Sequence, residues 1–166
     1  MAGTKDNPGV IAPPPLLLLA AIVLGLLLDW LAPAYILVTL LSWPVRVILA
    51  IVLIVPAAFL QLTAMRRFHA AGTHVEPWKA STTLVTEGIF SHVRNPMYVG
   101  GALLLVGLSI LLASDWMLVM TVLFFLVLHV GVVRREERYL EAKFGDAYRA
   151  YKARVPRYGW PPVGLR

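Results

Sequence analysis

Two polar segments hold the side chains best suited to chemistry. The first, Gly72 to Pro96, contains Leu84-Val85-Thr86-Glu87-Gly88 and runs into Arg94-Asn95-Pro96-Met97-Tyr98-Val99-Gly100; the second, Arg134 to Arg157, opens with Arg134-Arg135-Glu136-Glu137. Pro96 biases Asn95 toward extended geometry and suits the first turn of a helix, so the free amides of that turn face the loop before it. Such an end favours a carboxylate or phosphate, and Arg94 adds a fixed positive charge. Tyr98 falls in the same turn. The plain alternative is a helix start with an interfacial Arg and Tyr anchor. In the second segment, Glu136 or Glu137 beside a pocket mouth would take a cation, an amine or a hydroxyl. Their plain alternative is a set of exposed ion pairs, because Arg138 and Glu141 stand one helical turn apart.

Other chemistries are excluded by what the chain lacks. There is no cysteine, which removes disulfides, zinc-thiolate sites, iron–sulfur clusters and thiol nucleophiles. The histidines His69, His74, His92 and His129 do not fall at a tight ligand spacing, so no metal site is expected. His129 sits inside an apolar run and reads as an interhelical hydrogen-bonding group rather than a proton relay. No glycine-rich dinucleotide fingerprint, phosphate-binding loop or Ser–His pattern is present.

The elements that must position the two segments are membrane spans. Of 166 residues, 59% are hydrophobic and 14% charged, against about 25% charged in an ordinary soluble domain. Uncharged runs cover Asn7 to Leu28, Val47 to Met65, Met97 to Ser114 and Trp116 to Val133, and a run of about 18 residues rises about 27 Å as helix, near the thickness of the hydrocarbon core. Four transmembrane helices are expected. Pro13, Pro14 and Pro15 open the first run and no small-residue cleavage site precedes Asp29, so it is kept as a span rather than a signal sequence. Ala34 to Ser42 stays apolar beside Trp30, Tyr35 and Trp43, and is expected to lie along the membrane or dip into it as an extra short span. Pro44 suits the first turn of the second helix and Pro56 should kink it. The link Ala113 to Trp116 forces the last two spans into a tight hairpin. In the tail, Leu140, Phe144, Tyr148 and Tyr151 recur at helical spacing and Gly145 interrupts them, which predicts two short helices packed back under the bundle.

The fold expected is therefore all-α, a polytopic membrane helical bundle forming one domain over 1–166. Its parts are two N-terminal spans (1–65), a loop (66–96), a helical hairpin (97–133) and a tail (134–166). Fourteen of the fifteen Lys and Arg residues fall on the side of the loop, the tail and Lys5, and only Arg46 falls opposite. The positive-inside rule makes that side, with both termini, cytoplasmic. The expected partner is the lipid bilayer. No nucleic-acid signature and no obligate protein partner is read.

At the two polar segments the sequence resembles the membrane methyltransferases that include isoprenylcysteine carboxyl methyltransferases and phospholipid N-methyltransferases, in a bacterial form. The matching stretches are Leu84-Val85-Thr86-x-Gly88, Arg94-Asn95-Pro96-Met97-Tyr98-x-Gly100, and Glu136-Glu137-x-x-Leu140-x-x-x-Phe144-Gly145-x-x-Tyr148-x-x-Tyr151-x-x-x-Val155-Pro156. Upstream, Ala71-Gly72-Thr73 and Pro77-Trp78-Lys79 are similar to bacterial members, so the resemblance covers roughly residues 65–160. It implies S-adenosylmethionine as methyl donor, bound under the tail. By position, Thr82, Thr83, Leu84, Val85, Phe90, Arg94, Asn95, Pro96, Met97, Tyr98, Glu136 and Glu137 would line the cofactor pocket. Asn95 stands where many members carry histidine. The substrate-orienting arginine of the isoprenylcysteine enzymes falls near Val132, which makes Arg134 the displaced candidate.

The function implied is methyl transfer to a lipophilic small molecule or lipid at the cytoplasmic face of a membrane, with a bacterial inner membrane as the expected location. A sulfonium donor needs little acid–base help: an in-line approach and a dry pocket supply most of the effect. Arg94 or Asn95 would hold the methionine carboxylate, Glu136 an amine or ribose hydroxyl, and Tyr98 or Phe90 the cation. Arg134, together with Glu136 the catalytic candidate, or Arg135, would pair with a carboxylate acceptor; an amine or thiol acceptor would not need them. The alternatives are a membrane scaffold that kept the fold and, more distantly, a sterol-reductase-like NADPH enzyme.

Overall fold

A computed structural model describes residues 6–159; Lys5 and Arg166, counted above on the basic side, lie outside them. In chain order the elements are α1 (Pro14–Leu31), a short α2 (Ile36–Leu40), α3 (Trp43–Ala70), a 3-10 turn (Gly88–Ser91), α4 (Pro96–Leu112), α5 (Asp115–Leu128), a π turn (His129–Val133) and α6 (Arg134–Arg154). All regular elements among the described residues are helical, as the composition required. Pro14–Leu31, Trp43–Ala70 and the continuous run Asp115–Arg154 are long and apolar enough to cross a bilayer, and α4 is a shorter apolar helix. The protein is a polytopic membrane helical bundle.

Contacts divide the chain into two compact units. One comprises Pro14–Leu60 and Met97–Leu128, the other residues up to Pro13, Gln61–Pro96 and His129 onward.

In the first unit α1 packs on α5 through small residues, the way helices associate where lipid is as apolar as the side chains. A Cβ added at Gly25 would lie 2.7 Å from Met117 Cα, so only glycine lets the two backbones approach so closely. Gly107 plays the same part on α4, where a Cβ would meet Ile54 Cγ1 at 2.7 Å. Ala50, Leu105, Ser109, Met117 and Leu128 are buried, while Val23, Ile48, Val52, Val55, Phe59, Val122 and Leu126 are exposed. Exposed apolar surface on this scale is what a lipid-facing helix presents.

The span boundaries differ from the uncharged runs for identifiable reasons. α1 begins at Pro14, not Asn7, because a proline in the first turn sacrifices no hydrogen bond. It continues past Asp29 because that carboxylate is satisfied, accepting from Ser114 Oγ and from Trp116 N at 3.3 Å. α3 extends beyond both Arg46 and Arg66: the Arg46 guanidinium lies 5.2 Å from the Trp43 ring centroid, and Nη1 reaches Leu111 O. Arginine heads of this kind let a helix run past its apolar stretch. The link 32–42 holds only the five-residue α2, whose first amides, Ile36 N and Leu37 N, donate to the Asp115 carboxylate at 2.9 Å each. The α4–α5 link is Ala113 and Ser114 alone, with Ala113 at φ 52.

In the second unit α6 carries the organising face. Tyr148, Tyr151 and Val155 are buried together, packed by Leu84, Leu140 and Phe144, so the helical repeat seen in the sequence is the repeat that packs. Gly145, at φ 53 and ψ −124, breaks α6 as expected. Of the charged pairs expected at one-turn spacing, Arg138 donates instead to Arg134 O and Glu141 takes Lys152 across the break. Residues 6–11 form a strap along the π turn and α6. Asp6 bonds Tyr139 and Lys143, Arg135 donates to Gly9 O at 2.8 Å, and Ile11 N donates to Gly131 O in the π turn at 3.2 Å. A Cβ at Gly131 would strike Ile11.

Candidate active site

The second unit contains a cleft roofed by the loop after α3 and floored by α6. Its cavity volume is about 60 Å³, within about 620 Å³ of empty space counting the open mouth. Four stretches build it, of which the end of α3 supplies Phe68. The loop supplies His74 to Pro77, Ser81 and Thr83 to Val85; the corner before α4 supplies Phe90, Arg94 and Asn95; and α6 supplies Glu136, Glu137, Leu140, Tyr148 and Tyr151.

Local bonding explains why the loop takes this course. Gly72 turns the chain at φ 62, and Thr82 closes the loop on itself, its amide donating to Thr73 Oγ1 and its hydroxyl to Gly72 O. Ser81 N donates to Tyr139 Oη at 3.1 Å, which ties the loop to α6. Gly88, at φ 62, lies against the Arg67 guanidinium, and Phe90 meets Phe68 edge-on at 5.0 Å between centroids.

The corner at residues 94–95 is clamped by the segment after α6. Arg94 N donates to Pro156 O at 3.0 Å and Asn95 N to Arg157 O at 3.2 Å, while Asn95 Nδ2 donates to Arg157 O at 3.1 Å. These two amides are therefore used by the tail. The Arg94 side chain, 8% exposed, donates through Nε to Val155 O at 3.0 Å and through Nη1 to Glu137 Oε1 at 2.7 Å and Tyr148 Oη at 3.3 Å. Glu137, 9% exposed, also receives Arg157, Nε at 2.8 Å on Oε1 and Nη2 at 2.7 Å on Oε2. Two arginines thus share one buried carboxylate beside the cleft. Burial pushes the Tyr148 phenol up to about 12, and the Tyr151 phenol, which donates to Phe90 O, is pushed up for the same reason. Both stay neutral hydrogen-bonding groups.

The structure brings Thr83, Leu84, Val85, Phe90, Arg94, Asn95, Glu136 and Glu137 of the sequence candidates to one cleft. Thr82 serves loop closure, Pro96 opens α4, and Met97 and Tyr98 belong to the other unit. Arg134 is exposed and is not among the lining residues; Arg135 is exposed and bonds the strap. Sequence reasoning missed His74, Glu76, Phe68 and Arg157. Arg157 had no local signal, because its partner stands 20 residues back along the chain.

The phospholipid methyltransferase family profile matches residues 45–147, well over half of the chain. The chain belongs to the phospholipid methyltransferase family. The match begins inside α3, upstream of the motifs, and closes within α6. Protein-S-isoprenylcysteine O-methyltransferase of Schizosaccharomyces pombe is 37% identical over 103 residues, which is 59% of this chain and 42% of that enzyme. An uncharacterized protein of Haemophilus influenzae is 39% identical over 62 residues, 37% of this chain and 98% of that one. The cobalt-zinc-cadmium resistance protein CzcN of Cupriavidus metallidurans is 31% identical over 87 residues, 52% of this chain and 39% of that protein. The chain thus spans less than half the length of the yeast enzyme. No solved structure matches.

Proposed function

We propose that the protein is an S-adenosylmethionine-dependent membrane methyltransferase, acting on a lipophilic or membrane-partitioning carboxylate, amine or thiol at the cytoplasmic face of a bacterial inner membrane. The observation that carries the reading is the convergence of both family motifs on one cleft, lined by aromatic rings, carboxylates and a single arginine. The lining fits the donor's chemistry. Arg94 Nη2 has no partner among the described residues, so the guanidinium retains donors for a carboxylate. Phe68, Phe90, Tyr148 and Tyr151 offer ring faces and edges to a cation, and Glu136 offers an acceptor for an amine or hydroxyl. When bound, S-adenosylmethionine supplies an electrophilic methyl group on a cationic sulfur. The residues of the chain bind and orient the reactants, while Leu84, Val85 and Leu140 exclude water from the reacting centre.

The acceptor follows from different residues. A carboxylate acceptor requires a free arginine, which Arg134 provides only from outside the lining, so Arg134→Ala separates carboxylate from amine or thiol substrates. The direct test is calorimetric titration of the purified protein in detergent with S-adenosylmethionine and S-adenosylhomocysteine, beside Glu136→Ala. Binding that is lost in the variant supports the reading. A folded protein that binds neither compound overturns it in favour of a scaffold that kept the fold.

A further inference from the structure

We infer that Arg157, acting through Glu137, is a positioning residue that keeps the Arg94 guanidinium available for the carboxylate of a bound ligand. This rests on the reading of the cleft as a methyl-donor site and deepens it. Arg157 lies beyond residues 45–147 matched by the family profile, in the segment that follows α6.

The argument is one of hydrogen-bond geometry. An arginine and a carboxylate left to themselves form a two-pronged pair, each oxygen taking one nitrogen. Arg94 and Glu137 do not. Arg157 forms that pair with Glu137, with contacts of 2.8 Å to Oε1 and 2.7 Å to Oε2. Arg94 is left with a single contact to Oε1 at 2.7 Å. The rest of its fork is steadied by Val155 O and Tyr148 Oη, and Nη2 stays without a partner among the described residues. Arg157 therefore decides two things. It denies Glu137 the second prong of Arg94, and it adds a second positive charge to the Arg94–Glu137 pair, so that the carboxylate is matched without using the whole Arg94 fork. Without the Arg157 side chain, Glu137 is free to close on both Arg94 nitrogens and neutralise them. The backbone clamp survives that change, because Asn95 N and Nδ2 bond the Arg157 carbonyl, not its side chain.

The test uses two ligands that differ in the group concerned. S-Adenosylhomocysteine carries an amino-acid carboxylate; 5′-methylthioadenosine has the nucleoside and thioether without it. Both are titrated calorimetrically into the full-length protein in detergent, in wild type, Arg157→Ala and Arg157→Lys. The loss expected in Arg157→Ala is about tenfold or more in affinity for S-adenosylhomocysteine, with 5′-methylthioadenosine changed by less than about twofold. Arg157→Lys should recover part of the loss, since it restores charge without the fork. Arg157→Gln, which keeps a neutral donor on a shorter side chain, should show the same selective loss and replaces the alanine variant if that one does not fold. Equal weakening of both ligands would reduce Arg157 to a structural support and overturn the inference, as would no change in either. A folded wild type that binds neither ligand overturns the methyl-donor reading itself, a result distinct from both.

Discussion

Removing the charge of Glu137 leaves two arginines facing one another in a place that is 8–9% exposed at Arg94 and Glu137. Breaking a buried ion pair from one side costs about 3–5 kcal/mol, because the remaining charge keeps its desolvation penalty. Glu137→Gln should therefore lower the unfolding midpoint in detergent far more than Glu141→Gln, whose partner Lys152 is 41% exposed. Equal midpoints for the two variants would show that the cluster is solvated. Tyr148 supplies a pH test at the same scale. Its phenol is raised from 10.0 to about 12 in the folded chain, so below pH 10 both folded and unfolded chains hold the proton. Between pH 10 and 12 the unfolded chain ionises first, and stability drains as pH rises through that window. Tyr148→Phe should flatten this part of the stability-against-pH curve; an unchanged slope would mean that the phenol is not buried in solution. The adjacent carboxylates Glu136 and Glu137 were legible as a site because their types and position beside a membrane exit are unusual. That Glu137 would take two arginines was not, since Arg157 is fixed only by tertiary structure.

At the scale of elements, Gly145 is the clearest test. Its φ of 53 and ψ of −124 lie where a side chain is strained, yet a Cβ there would meet nothing within 4 Å. The cost of Gly145→Ala is thus conformational alone, about 1–3 kcal/mol, and should appear as a lower unfolding midpoint with the methyl group itself unhindered. If the variant matches wild type, the break in α6 is not held in solution. The break was legible because glycine interrupts the repeat Leu140, Phe144, Tyr148, Tyr151. The start of α1 was not, because residues 7–13 are as uncharged as the helix that follows; what removes them from it is proline at 13–15 and the bond from Ile11 N to Gly131 O. Asp29 misled in the opposite direction. A charge ends an apolar run on paper, whereas in the fold Ser114 and Trp116 N satisfy it inside the helix.

For the molecule as a whole, the placement of Lys and Arg gives an expected orientation. The chain has no cysteine, so single introduced cysteines report sidedness without background. Ser91→Cys in the loop and Thr39→Cys in the short link between α1 and α3, both exposed, should react with an impermeant thiol reagent from opposite sides of intact cells, Thr39→Cys from outside. Labelling of both from one side would overturn the four-span topology read from Arg and Lys placement. The division of the chain also bears on biosynthesis. Every segment of the unit formed by 14–60 and 97–128 has been made once Leu128 leaves the ribosome, whereas the cleft, the Arg94–Glu137–Arg157 cluster and the docking surface of the strap all wait for residues after 128. Because compact units fold as their residues appear, a nascent chain is expected to settle in the membrane before it can hold a ligand. Newly inserted protein then stays inert until its final stretch arrives, and a ribosome stalled within α6 leaves an anchored chain with no cleft to fill.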